Sequence, residues 1–482
     1  MPQVAPILLE AAVVTLGVVL VLLEAILNDR DKRMVAWMGI FGLGAVLALS
    51  FLPQQPSAQT AAYWNFYAAD ALAMFFKRFA LLTTILVLVM SLEYRDVLRK
   101  YIFGGTNDAG LGEFYALPVF TCAGLMWMAS AVDFVMIFVS LELVTISFYV
   151  LVSYMRRNNG SLEAGVKYLI LGALSTGFLV YGITWVFGIT GQTNLVQIAK
   201  VLPGLEANAT PLLFGMSLIM IALGFKLAAT PFQIWVPDVY QGAPTPITAY
   251  LSVGSKAAGV VVLMRVIETF AAADFLREKL VPLLVVLAVL TLLYGNLAAL
   301  PQENFKRLLA YSSIAHAGYI LTAIAAIGSA KSGQAVLVYL AGYLLMTLLS
   351  FLVVTVVFSA TGSDEISAFN GLAKRSPFLS GALLIAMASL AGVPLTVGFV
   401  GKFFAFAAAF EEGLWVLLAV GVVAVAAGFY YYLKVVRAMY WREGSSTDPI
   451  EVSGVTRFSI GALAVAIVVL GFYPAPIFAL MK

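Results

Sequence analysis

Six ionisable residues stand inside runs of apolar sequence. Glu142 lies in Phe138-Val139-Ser140-Leu141-Glu142-Leu143-Val144, Lys226 in Ala222-Leu223-Gly224-Phe225-Lys226-Leu227, and Lys256 in Val253-Gly254-Ser255-Lys256-Ala257-Ala258-Gly259. Lys402 lies in Gly398-Phe399-Val400-Gly401-Lys402-Phe403-Phe404, and Lys167 and His316 complete the set. A charge at the centre of a lipid-embedded helix costs roughly 2.5–3.5 kcal/mol on insertion scales. Each such group therefore asks for a partner, a water-filled cavity or a task. The chemistry these types share is proton exchange. Burial of a Lys–Glu pair favours the neutral forms and mutual attraction favours the charged ones, so opening or closing a Glu142–Lys226 pair moves a proton; the alternative is a static bridge stitching two helices. Lys226, Lys256 and Lys402 then read as a relay along the membrane plane, with His316 between them as a carrier or as a hydrogen-bonded core residue. Glu163 stands four residues before Lys167, the favourable helical pairing, and reads either as an interfacial ion pair or as a point of proton entry. Lys77, Arg78, Glu10 and Glu24 lie nearer helix ends or in outer spans, where snorkelling accounts for them.

The elements that position these groups follow from composition. Hydrophobic residues make up 62% of the 482 and charged residues 11%, with a mean hydropathy of +0.98, whereas soluble domains carry roughly 25% charged residues. The fold expected is an all-α integral membrane protein. Windows of about 20 apolar residues give about 14 spans: Val4–Leu27, Met34–Leu52, Tyr67–Met90, Tyr115–Ala131, Val132–Tyr154, Ala164–Gly188, Pro211–Phe232, Ile247–Phe270, Leu280–Leu300, Phe305–Ile327, Ala335–Ser359, an interrupted Pro377–Phe410, Leu414–Tyr440 and Val455–Leu480. Met1-Pro2-Gln3-Val4 has no basic region and the apolar stretch after it is too long for a signal peptide, so the first span is expected to be retained. Basic runs recur at Arg30/Lys32/Arg33, Arg95/Arg99/Lys100, Arg156/Arg157, Lys306/Arg307, Lys374/Arg375 and Lys434/Arg437/Arg442/Arg457. By the positive-inside rule these mark the cytoplasmic face and put both termini outside it, with Arg277/Lys279 the local exception.

One cysteine, Cys122, and one histidine, His316, exclude a disulfide framework, Cys-ligated iron–sulfur or zinc sites, an HExxH site and bis-histidine haem. No GxGxxG after a strand and no GxxxxGK[ST] occurs, so no nucleotide site is visible. The net charge of +3 comes from scattered basic residues and points to no nucleic acid. No cofactor or metal is expected in this chain, and any redox chemistry belongs to others. Leu227-Ala228-Ala229-Thr230-Pro231 echoes Leu390-Ala391-Gly392-Val393-Pro394. Proline-interrupted spans, at Pro231 and Pro394, in oppositely directed halves are the pattern of inverted-repeat transporters; two unrelated proline kinks are the alternative.

The segment Pro231-Phe232-Gln233-Ile234-Trp235-Val236-Pro237-Asp238-Val239-Tyr240-Gln241-Gly242-Ala243-Pro244-Thr245-Pro246 resembles the signature of the antiporter-like membrane subunits of respiratory complex I, and its Val-Tyr-Gln-Gly-Ala-Pro form fits the N branch of that family rather than L or M. Glu163–Ala173, Leu309–Tyr319 and Gly398–Phe403 match it too. The resemblance implies a 14-helix subunit with two inverted five-helix repeats and broken seventh and twelfth helices. On that basis the chain divides into an N-terminal three-helix segment (1–112), a first repeat (113–275), a second, inverted repeat (276–443) and a C-terminal helix (444–482). It further implies proton translocation coupled to quinone reduction, with Glu142 and Lys226 as the proton-handling pair, Lys256 as central relay and Lys402 as outlet. NADH, FMN, iron–sulfur clusters and quinone would sit on other subunits. The implied partners are other antiporter-like and small membrane subunits and the lipid bilayer, in a bacterial plasma (inner) membrane. Gln233 departs from the pattern: several relatives carry histidine there, and glutamine cannot exchange a proton in the physiological range. Two rival readings share the same residues: a subunit of a Mrp-type sodium/proton antiporter, and a structural membrane subunit whose buried charges are inert.

Overall fold

The computed structural model describes residues 5, 7–28, 31–52, 65–105, 107–444, 446 and 448–480. Met1–Val4 and Arg30, which entered the reading of the N-terminus and of the loop charges, lie outside the described residues. Every apolar window falls on helix. The long helices are α1 (Ile7–Ile26), α2 (Arg33–Leu49), α3 (Ala71–Glu93), α4 (Leu111–Ser130), α5 (Phe134–Val152), α6 (Asn159–Thr190) and α7 (Ala209–Leu227). They continue with α8 (Thr245–Ala271), α9 (Asp274–Ala299), α10 (Phe305–Ala325), α11 (Ser332–Thr361), α12 (Pro377–Ala391), α13 (Val397–Glu411), α14 (Trp415–Trp441) and α15 (Gly454–Phe472). Among the described residues, 12 helices are long and apolar enough to cross a membrane; α2, α12 and α13 fall short of that length. Helices are the outcome that lipid enforces, because each backbone polar group must be satisfied within its own segment.

Polar residues close the helix ends. The side chains of Asp70, Asp133, Asn158 and Asn304 accept from the first-turn amides of α3, α5, α6 and α10, which otherwise lack partners. All of the apolar window of α10 is buried, and 94% of those in α8 and α11, against 22% for α6 and 28% for α1. Three helices are thus enclosed by protein, while the outer ring turns residues such as Val139, Ile146, Ile170 and Val422 outward, as lipid or neighbouring subunits require.

Two spans are interrupted. After α7, Ala228 adopts φ 67° and a short helix, Val236–Gly242, precedes α8. After α12, Gly392 adopts φ 90° and helix resumes at α13. Pro231 and Pro394 lie in these two gaps, where their missing N–H removes no ladder bond. The second gap is closed tightly: the Gly398 amide donates to Ser389 Oγ at 3.1 Å, and a Cβ on Gly398 would collide with the Ser389 carbonyl oxygen.

The snorkelling expectation fails for two of its four residues. Arg78 does reach out, donating to the Ser50 carbonyl at 2.7 Å, and Glu24 pairs with Lys32 at 2.8 Å. Glu10 and Lys77 instead form an ion pair at 2.8 Å with neither side chain exposed. The packing of α1 and α3 on α4 seals both from the helix ends they were expected to reach.

Candidate functional site

Glu142 and Thr145 are three apart on α5 and share a face. Thr176 of α6 donates to Glu142 Oε1 at 2.7 Å, and Lys226, next to last in α7, donates to Thr145 Oγ1 at 2.6 Å. Glu142 and Lys226 therefore make no direct bridge; each rests on a threonine, and they remain near enough to interact electrostatically. A narrow cleft lined by Thr145, Ser175, Thr176, Phe225 and Lys226 separates α5, α6 and α7 at this point.

Lys256 stands directly after a π-helical turn, Leu251–Ser255, within α8. Such turns widen a helix locally and recur at functional sites. The Lys256 ammonium donates to the carbonyl and the hydroxyl of Ser313 on α10 and lies 5.5 Å from the Tyr343 ring centroid. Ser313 Oγ also accepts from Tyr343 Oη at 2.9 Å and pairs with Tyr240 Oη at 3.2 Å, while Tyr343 meets Ser252 at 2.8 Å. No carboxylate contacts Lys256 among the described residues.

The line continues one residue along α10. Ser312 bonds Tyr432 of α14, Tyr432 Oη lies 3.2 Å from His316 Nε2, and Tyr339 Oη of α11 lies 2.6 Å from His316 Nδ1. His316 thus stands between two phenols rather than alone in a hydrocarbon core. Tyr339 stacks on Tyr319, ring centroids 6.2 Å apart, and the Lys402 ammonium sits 4.9 Å over Tyr319. Lys402 donates to the carbonyls of Leu390 and Ala391 at 2.9 and 2.8 Å, the last of α12. Those oxygens are free because the helix stops there, and they carry the negative end of its dipole. From Lys402 an open cleft lined by Phe399, Phe403, Phe406 and Phe410 runs to Glu411, which pairs with Lys331.

Glu163 and Lys167 are placed elsewhere. Lys167 was expected deep in its span, but its side chain is 41% exposed and bonds both Glu163, at 2.7 Å, and Asp238, at 2.6 Å. Arg307 holds the other oxygen of Asp238 at 2.7 Å, so this is a surface cluster of four charges. Gln233 is buried, and among the described residues its Oε1 has no hydrogen-bond partner; the Tyr149 and Tyr168 hydroxyls share that condition. Among the described residues no three His, Cys, Asp or Glu side chains gather as a metal site.

Sequence reasoning missed the hydroxyls. Ser312, Tyr339, Tyr343, Tyr432 and Tyr240 connect the charged groups, yet each is neutral and unremarkable on a hydropathy scale. The available signal was spacing: Ser312 with His316, and Tyr339 with Tyr343, are four apart within helices, which puts each pair on one face.

The transmembrane family described as NADH:quinone oxidoreductase/Mrp antiporter matches residues 131–428. NADH-quinone oxidoreductase subunit N of Chlorobium chlorochromatii is 37% identical over 96% of this chain and 91% of its own length. A chain in the structure of respiratory complex I from Thermus thermophilus with bound aureothin superposes with a TM-score of 0.78 and 32% identity, covering 97% of each chain. A chain of the Mrp complex from Dietzia sp. matches with a TM-score of 0.80 but 20% identity, over 99% of this chain and 95% of that one, a likeness of fold alone.

Proposed function

The chain belongs to the NADH:quinone oxidoreductase/Mrp antiporter transmembrane family, and from that premise we propose that it works as the N-type, proton-translocating membrane subunit of a redox-driven NADH:quinone oxidoreductase. Its partners are the other membrane subunits of that complex and the bilayer. Electron carriers (NADH, FMN, iron–sulfur clusters and quinone) reside on other chains, and this one contributes proton-handling residues and no cofactor of its own. The Mrp-type reading is less supported, since its likeness rests on 20% identity and the Tyr240-Gln241-Gly242-Ala243-Pro244 form fits the N branch.

The observation that carries the reading is a set of polar contacts along the enclosed α10: Lys256 to Ser313 and, from the adjacent Ser312, Tyr432 of α14 to Ser312 and to His316, and His316 to Tyr339. Hydroxyls both donate and accept, so they pass protons between groups that hold them. We take Glu142 and Lys226 as the loading pair, coupled through Thr145 and Thr176, with Lys256 and His316 in the centre and Lys402 at the outlet cleft. The unpartnered Tyr149, Tyr168 and Gln233 oxygens favour water bridging between the loading pair and the centre, because a buried polar atom without a partner costs about 1–3 kcal/mol. This gives Gln233 a water-holding role without proton exchange. Glu163 and Lys167, with Asp238 and Arg307, stand at the basic face and serve as the entry.

The remaining assignments follow the same premise. α1–α15 comprise 14 spans when the pair α12–α13 is one broken helix; α4–α8 and α9–α14 form two inverted five-helix repeats, broken at Pro231 and Pro394. The basic ends are cytoplasmic and both termini lie on the other side of a bacterial inner membrane.

The test is Glu142→Gln in the assembled complex reconstituted into vesicles. Gln keeps a hydrogen bond to Thr176, so assembly is retained, while NADH-driven proton uptake falls at least tenfold. Normal uptake with normal quinone reduction would support the inert structural reading instead.

A further inference from the structure

We propose that Glu10, Lys77 and Tyr67 form a second proton-holding site, an outward branch leaving the central line through Thr84 and Tyr250. The inference rests on the conducting role proposed above. The three side chains bond one another: Lys77 bonds Glu10 Oε1 at 2.8 Å and also bonds Tyr67 Oη, and Tyr67 lies 3.1 Å from the same carboxylate oxygen. Glu10 and Lys77 have no exposed side-chain surface. Two apolar residues of similar volume would hold α1 to α3 as well or better, because taking both charges out of water costs about as much as their attraction returns. Stitching two helices is therefore a weak reason to keep this pair.

The cluster reaches in two directions. Inward, Thr84 lies seven residues beyond Lys77 on the same face of α3, about 10 Å along the axis. Its hydroxyl pairs with Tyr250 Oη at 2.8 Å, and Tyr250 also donates to the Pro118 carbonyl at 3.1 Å. Tyr250 immediately precedes the π-turn that ends at Lys256, and Ser252 within that turn meets Tyr343, the phenol above Lys256. Outward, Tyr67 bridges to Ala131 at the end of the bundle where α1 and α3 begin. Asp70 there is bound by Arg265 through two hydrogen bonds of 2.9 Å, and its side chain is 44% exposed. The charged groups facing the pair are thus Asp70 and Arg265.

One cycle moves one proton. The Lys77 ammonium gives a proton to the Glu10 carboxylate, leaving a neutral amine and a carboxylic acid. The amine takes a proton from the Thr84 side, and the acid releases its own past Tyr67 toward Asp70, which restores the ion pair.

The experiment uses the whole complex in vesicles, with proton uptake normalised to assembled enzyme. In the Glu10→Gln/Lys77→Met double variant both charges go together and neither is orphaned. Uptake is expected to fall at least threefold, with a changed pH profile in what remains. Uptake and pH profile like those of the wild type would overturn the branch. Should the double variant not assemble, Tyr67→Phe and Thr84→Val decide, since each removes one hydroxyl and keeps the pair: slowed uptake supports the branch and undiminished uptake overturns it. Lys256→Met, run alongside, separates the two ideas. If it too pumps normally, conduction through this chain fails as a whole; if it alone is impaired, only the branch is wrong.

Discussion

Replacing Lys256 with methionine separates a carrier from a strut. The ammonium is enclosed, bound to the Ser313 carbonyl and hydroxyl and lying against the Tyr343 ring. Hydrogen bonds to a charged group contribute about 1.5–3 kcal/mol each, whereas withdrawing the charge from water costs several kcal/mol. Methionine fills nearly the same volume, and Ser313 Oγ keeps Tyr240 and Tyr343 as partners. The folded subunit should therefore change in stability by no more than about 1–2 kcal/mol in either direction. Proton passage is another matter. Without the amine, a proton crossing this point is a bare charge at a helix centre, an added cost of roughly 3 kcal/mol, or about a 100-fold slower step at 1.36 kcal/mol per decade. The assay is NADH-driven quenching of a pH-sensitive dye in vesicles holding the assembled complex, alongside thermal unfolding of that complex. A complex that melts many degrees lower but pumps at the normal rate per assembled enzyme would refute the argument, since Lys256 would then be glue.

Lys402→Arg should slow coupled turnover severalfold in the same assay, because arginine keeps its proton under all physiological conditions and cannot hand one from the Leu390 and Ala391 carbonyls to the cleft; unchanged turnover removes Lys402 from the relay. Gly398→Ala drives a methyl into the Ser389 carbonyl and should destabilise the α12–α13 junction by about 1–3 kcal/mol, read as a lower melting temperature; an unchanged melt would mean that α13 shifts freely. At the face where α3 begins, burial works against the Asp70 carboxylate, but Arg265 more than offsets it and holds that group below its ordinary value. The sign follows: the stability it lends is complete above the unfolded value of about 3.9 and is lost as pH falls through the lower folded one. Arg265→Gln should therefore flatten the stability-versus-pH curve below about pH 4, and identical slopes for both proteins would count against the tie.

How much of this was legible depends on which force sets each feature. Helix positions were readable because lipid leaves the backbone one solution, so an average over about 20 residues suffices. The breaks at α7 and α12 were readable because Pro231 and Pro394 leave a local mark in two echoed segments; the left-handed turn at Ala228 was not, since alanine gives no sign of it. Lys226, Lys256 and Lys402 announced themselves by cost alone. Partners did not. Glu10 and Lys77 looked like helix-end residues, since position within a helix says nothing about what packs over its end. Glu142 and Lys226 looked like a directly bonded pair, whereas each bonds a different threonine hydroxyl, a group silent in hydropathy.

That intervention by neutral oxygens bears on the choice between conduction and adhesion. Several lysines that tie segments together have a carboxylate: Lys32 has Glu24, Lys167 has Glu163 and Asp238, and Lys306 has Asp364. Lys226, Lys256 and Lys402 are bound by threonine, serine and backbone oxygens. A carboxylate locks an ammonium in its charged state, while a neutral oxygen accepts a hydrogen bond and leaves the amine free to lose its proton. Three enclosed lysines without a bonded counter-ion are poor adhesive and suitable carriers. Lys77 departs from both classes, because it holds donor and acceptor of the exchange in one sealed cluster, and a proton can change places there without leaving net charge in the membrane.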